Sequence, residues 1–322
     1  MAIYDKLALG KKAREYSFNR DTFEKMSRLT EILQFLNSER EISPLLALKG
    51  GTAINLTVFN LPRLSVDIDL DFTENLSKDD TRARRARINE ILGRYMTAQG
   101  YSIKDKSKNI HALDSFVYSY TNAAGNPDNI KVEINYMLRC HALPPIEVTT
   151  QTSEAFSPFP IRTLSPIEIF ASKIVALSSR AAARDLYDMN NVVYFGLFDD
   201  TDLTLLRKCA VLYLAITGDK GARGFDFTKM SAITERTIKT DLYPMIRNAE
   251  RFDFAAAKER VTVFLSELLT LTDKEKSFLQ RFSKGYYEPE LLFDDKDIID
   301  RIKNHPMAAW RIRQTKEERQ ER

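Results

Sequence analysis

The run Asp67-Ile68-Asp69-Leu70-Asp71-Phe72 constrains this chain more than any other stretch. Side chains two apart on a strand point the same way, so Asp67, Asp69 and Asp71 share one face. Val66, Ile68, Leu70 and Phe72 share the other. Burying the apolar face leaves a row of anions on its reverse. Just upstream, Leu48-Lys49-Gly50-Gly51-Thr52 reads as a strand, a glycine turn and a helix start. Backbone amides in such a turn cradle phosphate. Carboxylates this close repel one another unless a cation sits among them. Hard oxygen ligands at this spacing suit Mg²⁺, or Mn²⁺ in its place, carrying a nucleotide phosphate. The competing structural reading is a tight turn followed by a solvated acidic face. The two pieces occurring together, in this order, favour a site.

The 322 residues allow two modest domains or one large one, and 43% hydrophobic content supports a buried core. Only 11 Gly and 11 Pro argue against long disordered linkers. Cys140 and Cys209 are too few for a disulfide framework or a zinc site, which makes a reducing cytoplasm the expected compartment. His111, His141 and His305 are scattered and give no support to a histidine-based metal site or triad. No apolar run approaches a membrane span, and residues 1–6 lack the apolar core of a signal peptide. The net charge of +3 is modest, but Arg82, Arg84, Arg85, Arg87 and Arg94 crowd one segment. Arg311, Arg313, Lys316, Arg319 and Arg322 lie in the tail. Both groups are candidate contacts for RNA phosphates. The alternative is a solvated helix face and a frayed terminus, where Glu317, Glu318 and Glu321 stand at salt-bridge spacing from the tail cations.

Apolar periodicity predicts a helix over residues 20–38, a short strand over 44–48 and a helix over 52–59. A helix starting at Ser77 carries the arginines to about Ala98, and Gly100 ends it. Phe116–Tyr120 and Ile130–Tyr136 read as a hairpin around the turn formers of 122–128. On the return strand Lys131, Glu133 and Asn135 share a face. If that strand lies beside the Asp strand, Glu133 becomes a third carboxylate. Pro166, at the first turn of a helix after Ser165, opens a stretch that reads as helical to the end. The expected helices cover about 166–194, 201–217, 228–248, 254–270, 273–284 and 295–304. A boundary near 160 thus separates an α/β half from a helical half.

On a single helix after Pro166, Lys173, Arg180 and Arg184 fall within a narrow angular band. Asp188 lies near that band and Asp185 further round. The stripe is either a solubility face or a set of cations aimed into a cleft. Ile167, Phe170, Ile174 and Leu177 show that the helix docks on something.

A glycine turn before an Asp-x-Asp strand resembles the nucleotidyltransferase fold of the polymerase-beta type. The wording Lys49-Gly50-Gly51-Thr52, then Arg63-x-Ser65-x-Asp67-Ile68-Asp69, looks more specifically like the AbiEii toxin family of nucleotidyltransferases. Lys173, Arg180 and the run Arg184-Asp185-Leu186-Tyr187-Asp188 are similar to that family's later Lys, Arg and Arg-Asp-x-x-Asp elements. Pro289-Glu290-Leu291-Leu292-Phe293 and His305-Pro306-Met307-Ala308-Ala309-Trp310 also look like the family. These last two read as structural, with Trp310 anchoring the last helix. The resemblance spans about residues 20–312. The chain departs from the broader superfamily in having Gly-Gly-Thr where Gly-Ser is usual, so Thr52 and Ser65 are both candidates for a hydroxyl contact to phosphate.

The resemblance implies an α+β fold. A nucleotidyltransferase core over 1–160, built on a mixed sheet, would precede a helical domain over 161–322 that contributes to the active-site cleft. It implies Mg-dependent transfer of a nucleotide from an NTP to an RNA acceptor, with the 3′ end of tRNA as the expected substrate. The setting would be a toxin paired with a separately encoded antitoxin in abortive infection and phage defence. Asp67, Asp69 and Glu133 would be the metal ligands. Lys49, Gly50, Gly51, Thr52, Arg63, Ser65, Lys173, Arg180 and Arg184 would hold nucleotide phosphates. Asp67, Asp69, Glu133, Lys173, Asp185 and Asp188 would be catalytic. Spacing from the lysine favours Asp188 as the later acid, and the Arg-Asp dipeptide favours Asp185. Arg82, Arg84, Arg85 and Arg87 would meet RNA. The rival readings are transfer to a small molecule or a protein hydroxyl, and a catalytically silent nucleotide- or RNA-binding module.

Overall fold

A computed structural model of the chain describes residues 4–219 and 223–320. Residues 1–3, part of the start expected to lack a signal peptide, lie outside the described residues. So do Glu321 and Arg322 of the tail, with the side chains of Glu318 and Arg319. The chain divides into two compact units. One takes the residues up to Arg139, together with Pro145–Leu164 and Tyr243–Glu250. The other takes Cys140–Pro144, Ser165–Leu242 and the residues from Arg251 on.

The first unit carries one mixed sheet. Its strands are β1 (Leu46–Lys49), β2 (Asp67–Phe72), β3 (Ser102–Ile103), β4 (Lys108–Ile110), β5 (Leu113–Thr121), β6 (Pro127–Asn135), β7 (Ile146–Thr149) and β8 (Pro160–Thr163). They run in the order β3-β5-β6-β2-β1-β8-β7, with β4 also paired to β5. β2 is central, antiparallel to β1 and parallel to β6. Its alternation does what the sequence demands, since Ile68 and Phe72 are fully buried and Leu70 nearly so. Burying those three side chains is the main force fixing the register, because a one-residue slip would bury the aspartates instead. β5 and β6 form the expected hairpin, whose turn is closed by Asn122 accepting from the amides of Ala124 and Asn126.

Helices of this unit are α1 (Lys6–Glu15), α2 (Arg20–Ser38), α3 (Gly50–Ala53) and α4 (Lys78–Ala98). α2 buries Phe23, Met26, Leu29, Ile32 and Leu33 at helical spacing, and Asn19 caps it by accepting from the amides of Asp21 and Thr22. α3 is one turn that continues as a wider turn over Ile54–Val58. α4 starts where Ser77 accepts from the Asp80 amide. The short strands β3, β4, β7 and β8 leave no mark in the sequence pattern, because two to four residues hold too little alternation to register.

The second unit is helical: α5 (Pro166–Ser179), α6 (Ala183–Phe195), α7 (Asp200–Thr217), α8 (Glu235–Thr237), α9 (Phe254–Leu268), α10 (Asp273–Ser283), α11 (Lys296–Ile302) and α12 (Pro306–Gln320). Three expectations fail here. The helix expected over 166–194 breaks after Ser179, with Ala181 in the left-handed region at φ 49°, so the single-helix stripe of Lys173, Arg180 and Arg184 does not exist. The helix expected over 228–248 is a string of short turns that ends at Leu242, because Pro244 cannot continue it. The chain then runs irregularly into the first unit, where the Leu64 amide donates to the Met245 carbonyl and Arg63 bridges Ile246. Trp310 does not anchor α12, being 36% exposed. Fully buried Ala308 holds that helix, with Arg311 donating to the carbonyls of Ile216 and Gly218. Among the described residues no helix is long and apolar enough to cross a membrane.

Candidate active site

The β1, β2 and β6 registers lay out one face as a grid. Lys49 stands opposite Asp69, Asp69 opposite Glu133, and Asp67 opposite Lys131. Glu133 therefore does lie beside the Asp strand, as expected if the two strands paired. Lysines already answer two of the carboxylates. Lys49 Nζ is 2.6 Å from Asp71 Oδ1, and Lys131 Nζ is 2.8 Å from Glu133 Oε2. Asp67 and Asp69 form no ion pair among the described residues. Burial pushes the Asp69 carboxyl above its ordinary pKa; Lys49 pulls against this, Asp67 and Glu133 add to the rise, and Lys131 opposes it. Asp69 is thus an anion held where charge is costly, which a cation would relieve.

The glycine turn is shaped around that anion. Gly50 has φ 69°, and a Cβ there would lie 2.6 Å from Asp69 Oδ2. A Cβ on Gly51 would lie 2.7 Å from Arg63 Nη2. Gly50 serves both the turn and the close approach, and Gly51 the close approach of Arg63. Arg63 is almost fully buried and donates to the Leu64 carbonyl. Its role in this arrangement is to brace the turn. Thr52 is buried, its hydroxyl 2.8 Å from Ser65 Oγ and 2.5 Å from the Asp67 carbonyl oxygen, which ties the start of β2 to the turn. Asn55 continues this bracing by donating to the Gly51 carbonyl.

The donor set fits an ion that takes two carboxylates and keeps several waters. Mg²⁺ is such an ion, bound through one or two carboxylates plus substrate phosphates. A three-carboxylate cage does not fit as well. Among the described residues no three His, Cys, Asp or Glu side chains stand ready as a metal cage, and Glu133 is turned onto Lys131. Lys131 and Glu133 share a face by strand alternation, but alternation alone does not announce their pairing. Opposite charges two apart on a strand were the available signal.

The second cluster lies within the helical unit. The break between α5 and α6 brings Lys173 Nζ to 2.9 Å from Asp185 Oδ1 and 3.0 Å from Asp188 Oδ2. All three side chains are at most 7% exposed. Arg180 reaches the other Asp185 oxygen at 2.9 Å while staying 65% exposed. Burial alone would raise the Asp185 carboxyl, but Lys173 and Arg180 outweigh it and hold the group well below the usual carboxylate range. Asp185 also sits in the first turn of α6, where helix amides favour an anion. Arg184 is half-buried and stands apart from these ion pairs.

The arginine segment divides along α4. Arg85 makes two bonds to buried Asp114, at 2.9 and 2.6 Å, and donates to the Ile110 and His111 carbonyls. Arg87 is paired with Glu41 at 2.7 Å and with Glu90 at 2.9 Å. Arg82 and Arg84 are exposed.

Three comparisons bear on these observations. The family model described as "Nucleotidyl transferase AbiEii toxin, Type IV TA system" matches residues 32–284. Among solved structures, MenT4, a nucleotidyltransferase toxin from Mycobacterium tuberculosis, is similar at 18% identity and a TM-score of 0.63. The alignment covers 95% of this chain and 99% of that one. At that identity the likeness concerns the fold. Comparison with curated proteins returns no significant match.

Proposed function

This chain belongs to the AbiEii family of nucleotidyltransferases, the toxins of type IV toxin–antitoxin systems, and from that premise we propose that it transfers a nucleotide from an NTP to an RNA hydroxyl, with the 3′ end of tRNA as acceptor. The observation that carries the reading is the pair of aspartates that form no ion pair among the described residues, beside a glycine turn with no room for a side chain at Gly50. In this reading Asp67 and Asp69 hold a divalent cation. Bound there, it would supply neutralisation of phosphate charge in the reacting nucleotide.

The remaining work belongs to the chain. Gly50 and Gly51 offer room and amides for phosphate at the start of α3. Thr52, Ser65 and Arg63 keep that turn in register with β2. Arg180, exposed and cationic, is assigned to the pyrophosphate of the nucleotide, and Lys173 supports it through their shared partner Asp185. Asp185 is held ionised too firmly to accept a proton near neutral pH, so it positions Lys173 and Arg180. Proton acceptance from the attacking hydroxyl then falls to Asp188 or Glu133. Loss of transfer with nucleotide affinity retained, in Asp188→Asn or in Glu133→Gln, identifies which. Arg82 and Arg84 are the RNA-facing cations of α4.

A separately encoded antitoxin, an abortive-infection role in phage defence and a cytoplasmic setting follow from the same family reading. The test is incubation with each labelled NTP and total RNA, total protein or metabolites, then sequencing of RNA 3′ ends after induction in cells. Label is expected in RNA, and Asp69→Ala is expected to abolish it with the fold intact. Label in protein or in a small molecule would redirect the acceptor assignment. Full activity in Asp69→Ala would refute the metal assignment.

A further inference from the structure

Charge on the β1–β2–β6 face is nearly, but not fully, balanced. Asp67, Asp69, Asp71 and Glu133 are the carboxylates, and Lys49 and Lys131 are the ammonium groups. Each lysine takes one carboxylate at hydrogen-bond distance, Lys49 the buried Asp71 and Lys131 the half-buried Glu133. What remains is a charge of two, on Asp67 and Asp69. One divalent cation cancels it, and without nucleotide a second would find only carboxylates already paired to a lysine.

We infer that this site is built for a single divalent cation, and that Lys131 occupies the place a second would need by holding Glu133 away from metal coordination. The inference rests on the metal assignment above and sharpens it, because it makes Glu133 a partner of lysine instead of a ligand. The geometry supports it twice. Glu133 stands directly across from Asp69, close enough to be a shared ligand if it were turned that way. Its carboxylate is instead turned along its own strand to Lys131, two residues away. Lys131, in register with Asp67, therefore places a positive charge beside the two aspartates. An ammonium supplies charge without the open coordination positions of a metal ion. It neutralises but cannot polarise a second oxygen.

The probe is Mn²⁺ alone, counted by electron paramagnetic resonance on the intact chain without nucleotide. The native protein is expected to take up one Mn²⁺ per chain. Lys131→Met, which keeps the length of the side chain and removes its charge, is expected to take up two. Lys131→Ala provides an independent second variant, and circular dichroism reports the folding of each. Glu133→Gln is expected to keep the native count of one, since Glu133 is no ligand. Two bound ions in the native chain, or one in both lysine variants, overturns the inference and leaves the metal assignment standing. Loss of the ion in Glu133→Gln also overturns it, by making Glu133 a ligand. No bound Mn²⁺ in the native chain or any variant overturns both the inference and the assignment beneath it.

Discussion

On the sheet face, four carboxylates meet two ammonium groups and two anions are left over. In the helical unit, Asp185 and Asp188 meet Lys173 and Arg180, and nothing is left over. Both clusters put like charges close together in partly or wholly buried surroundings. The first is held in place by apolar side chains on the reverse of the sheet, so its repulsion persists in the folded chain. The second is held by its own ion pairs, which is why burial raises the Asp69 carboxyl but fails to raise that of Asp185. An open cluster is poised to take a cation; a closed one is poised to present a preset one.

The largest expected effect tests this contrast directly. Asp67→Asn and Asp69→Asn should each lower nucleotide transfer by about 10²–10³-fold. Thermal stability without metal should hold or rise, because each change removes a repelling anion. A fall in stability would mean that the face is not under electrostatic strain. Lys173→Met should do the reverse. Removing one partner of a buried ion pair costs about 3–5 kcal/mol, visible in denaturant unfolding. Lys173→Met combined with Asp188→Leu should recover part of that loss without recovering transfer.

Acid titration separates the clusters by sign. The folded pKa of Asp185 lies below its unfolded value, so its stabilisation is present above about pH 4 and is lost as pH falls further toward the folded value. The folded pKa of Asp69 lies above its unfolded value, so stability declines as pH rises from about 4 through the folded value. Stability curves of Asp185→Asn and Asp69→Asn should therefore diverge from the native curve in opposite directions above pH 4. For the same reason, Mn²⁺ affinity should climb with pH over the Asp69 window.

A smaller effect comes from the turn. Gly50→Ala places a side chain at φ 69° and against Asp69 Oδ2, costing about 1–2 kcal/mol for the backbone alone. It should weaken Mn²⁺ binding measurably, whereas Gly196→Ala, also at positive φ but with open space around it, should affect stability only. Smallest is Arg84→Ala, expected to reduce the salt slope of RNA binding by about one and leave the fold untouched.

The sheet site was legible because period-two alternation fixes both the strand and the side its anions face. The hairpin and Glu133 followed from the same period. The second cluster was legible as a set of residues but not as a shape. Ala181, Ala182 and Ala183 form the strongest helix-favouring run in that region, and local propensity therefore argues for continuity. Ala181 nonetheless takes a left-handed conformation, which turns α6 so that Asp185 and Asp188 reach Lys173. Tertiary ion pairing outweighed propensity there, and no local signal announces it. The arginines show the same limit. Arg85 reads like its neighbours, but its partner Asp114 is 29 residues away.

Residues 243–250 come from the middle of the helical sequence yet complete the sheet unit, lying along Arg63 and Leu64. No single cleavage of the polypeptide can therefore release either unit with all its parts. A fragment stopping after the last strand would leave the brace of the glycine turn uncovered. A graft of the helical unit from another chain would likewise have to keep residues 243–250, or the sheet unit would lose the segment lying along Arg63 and Leu64.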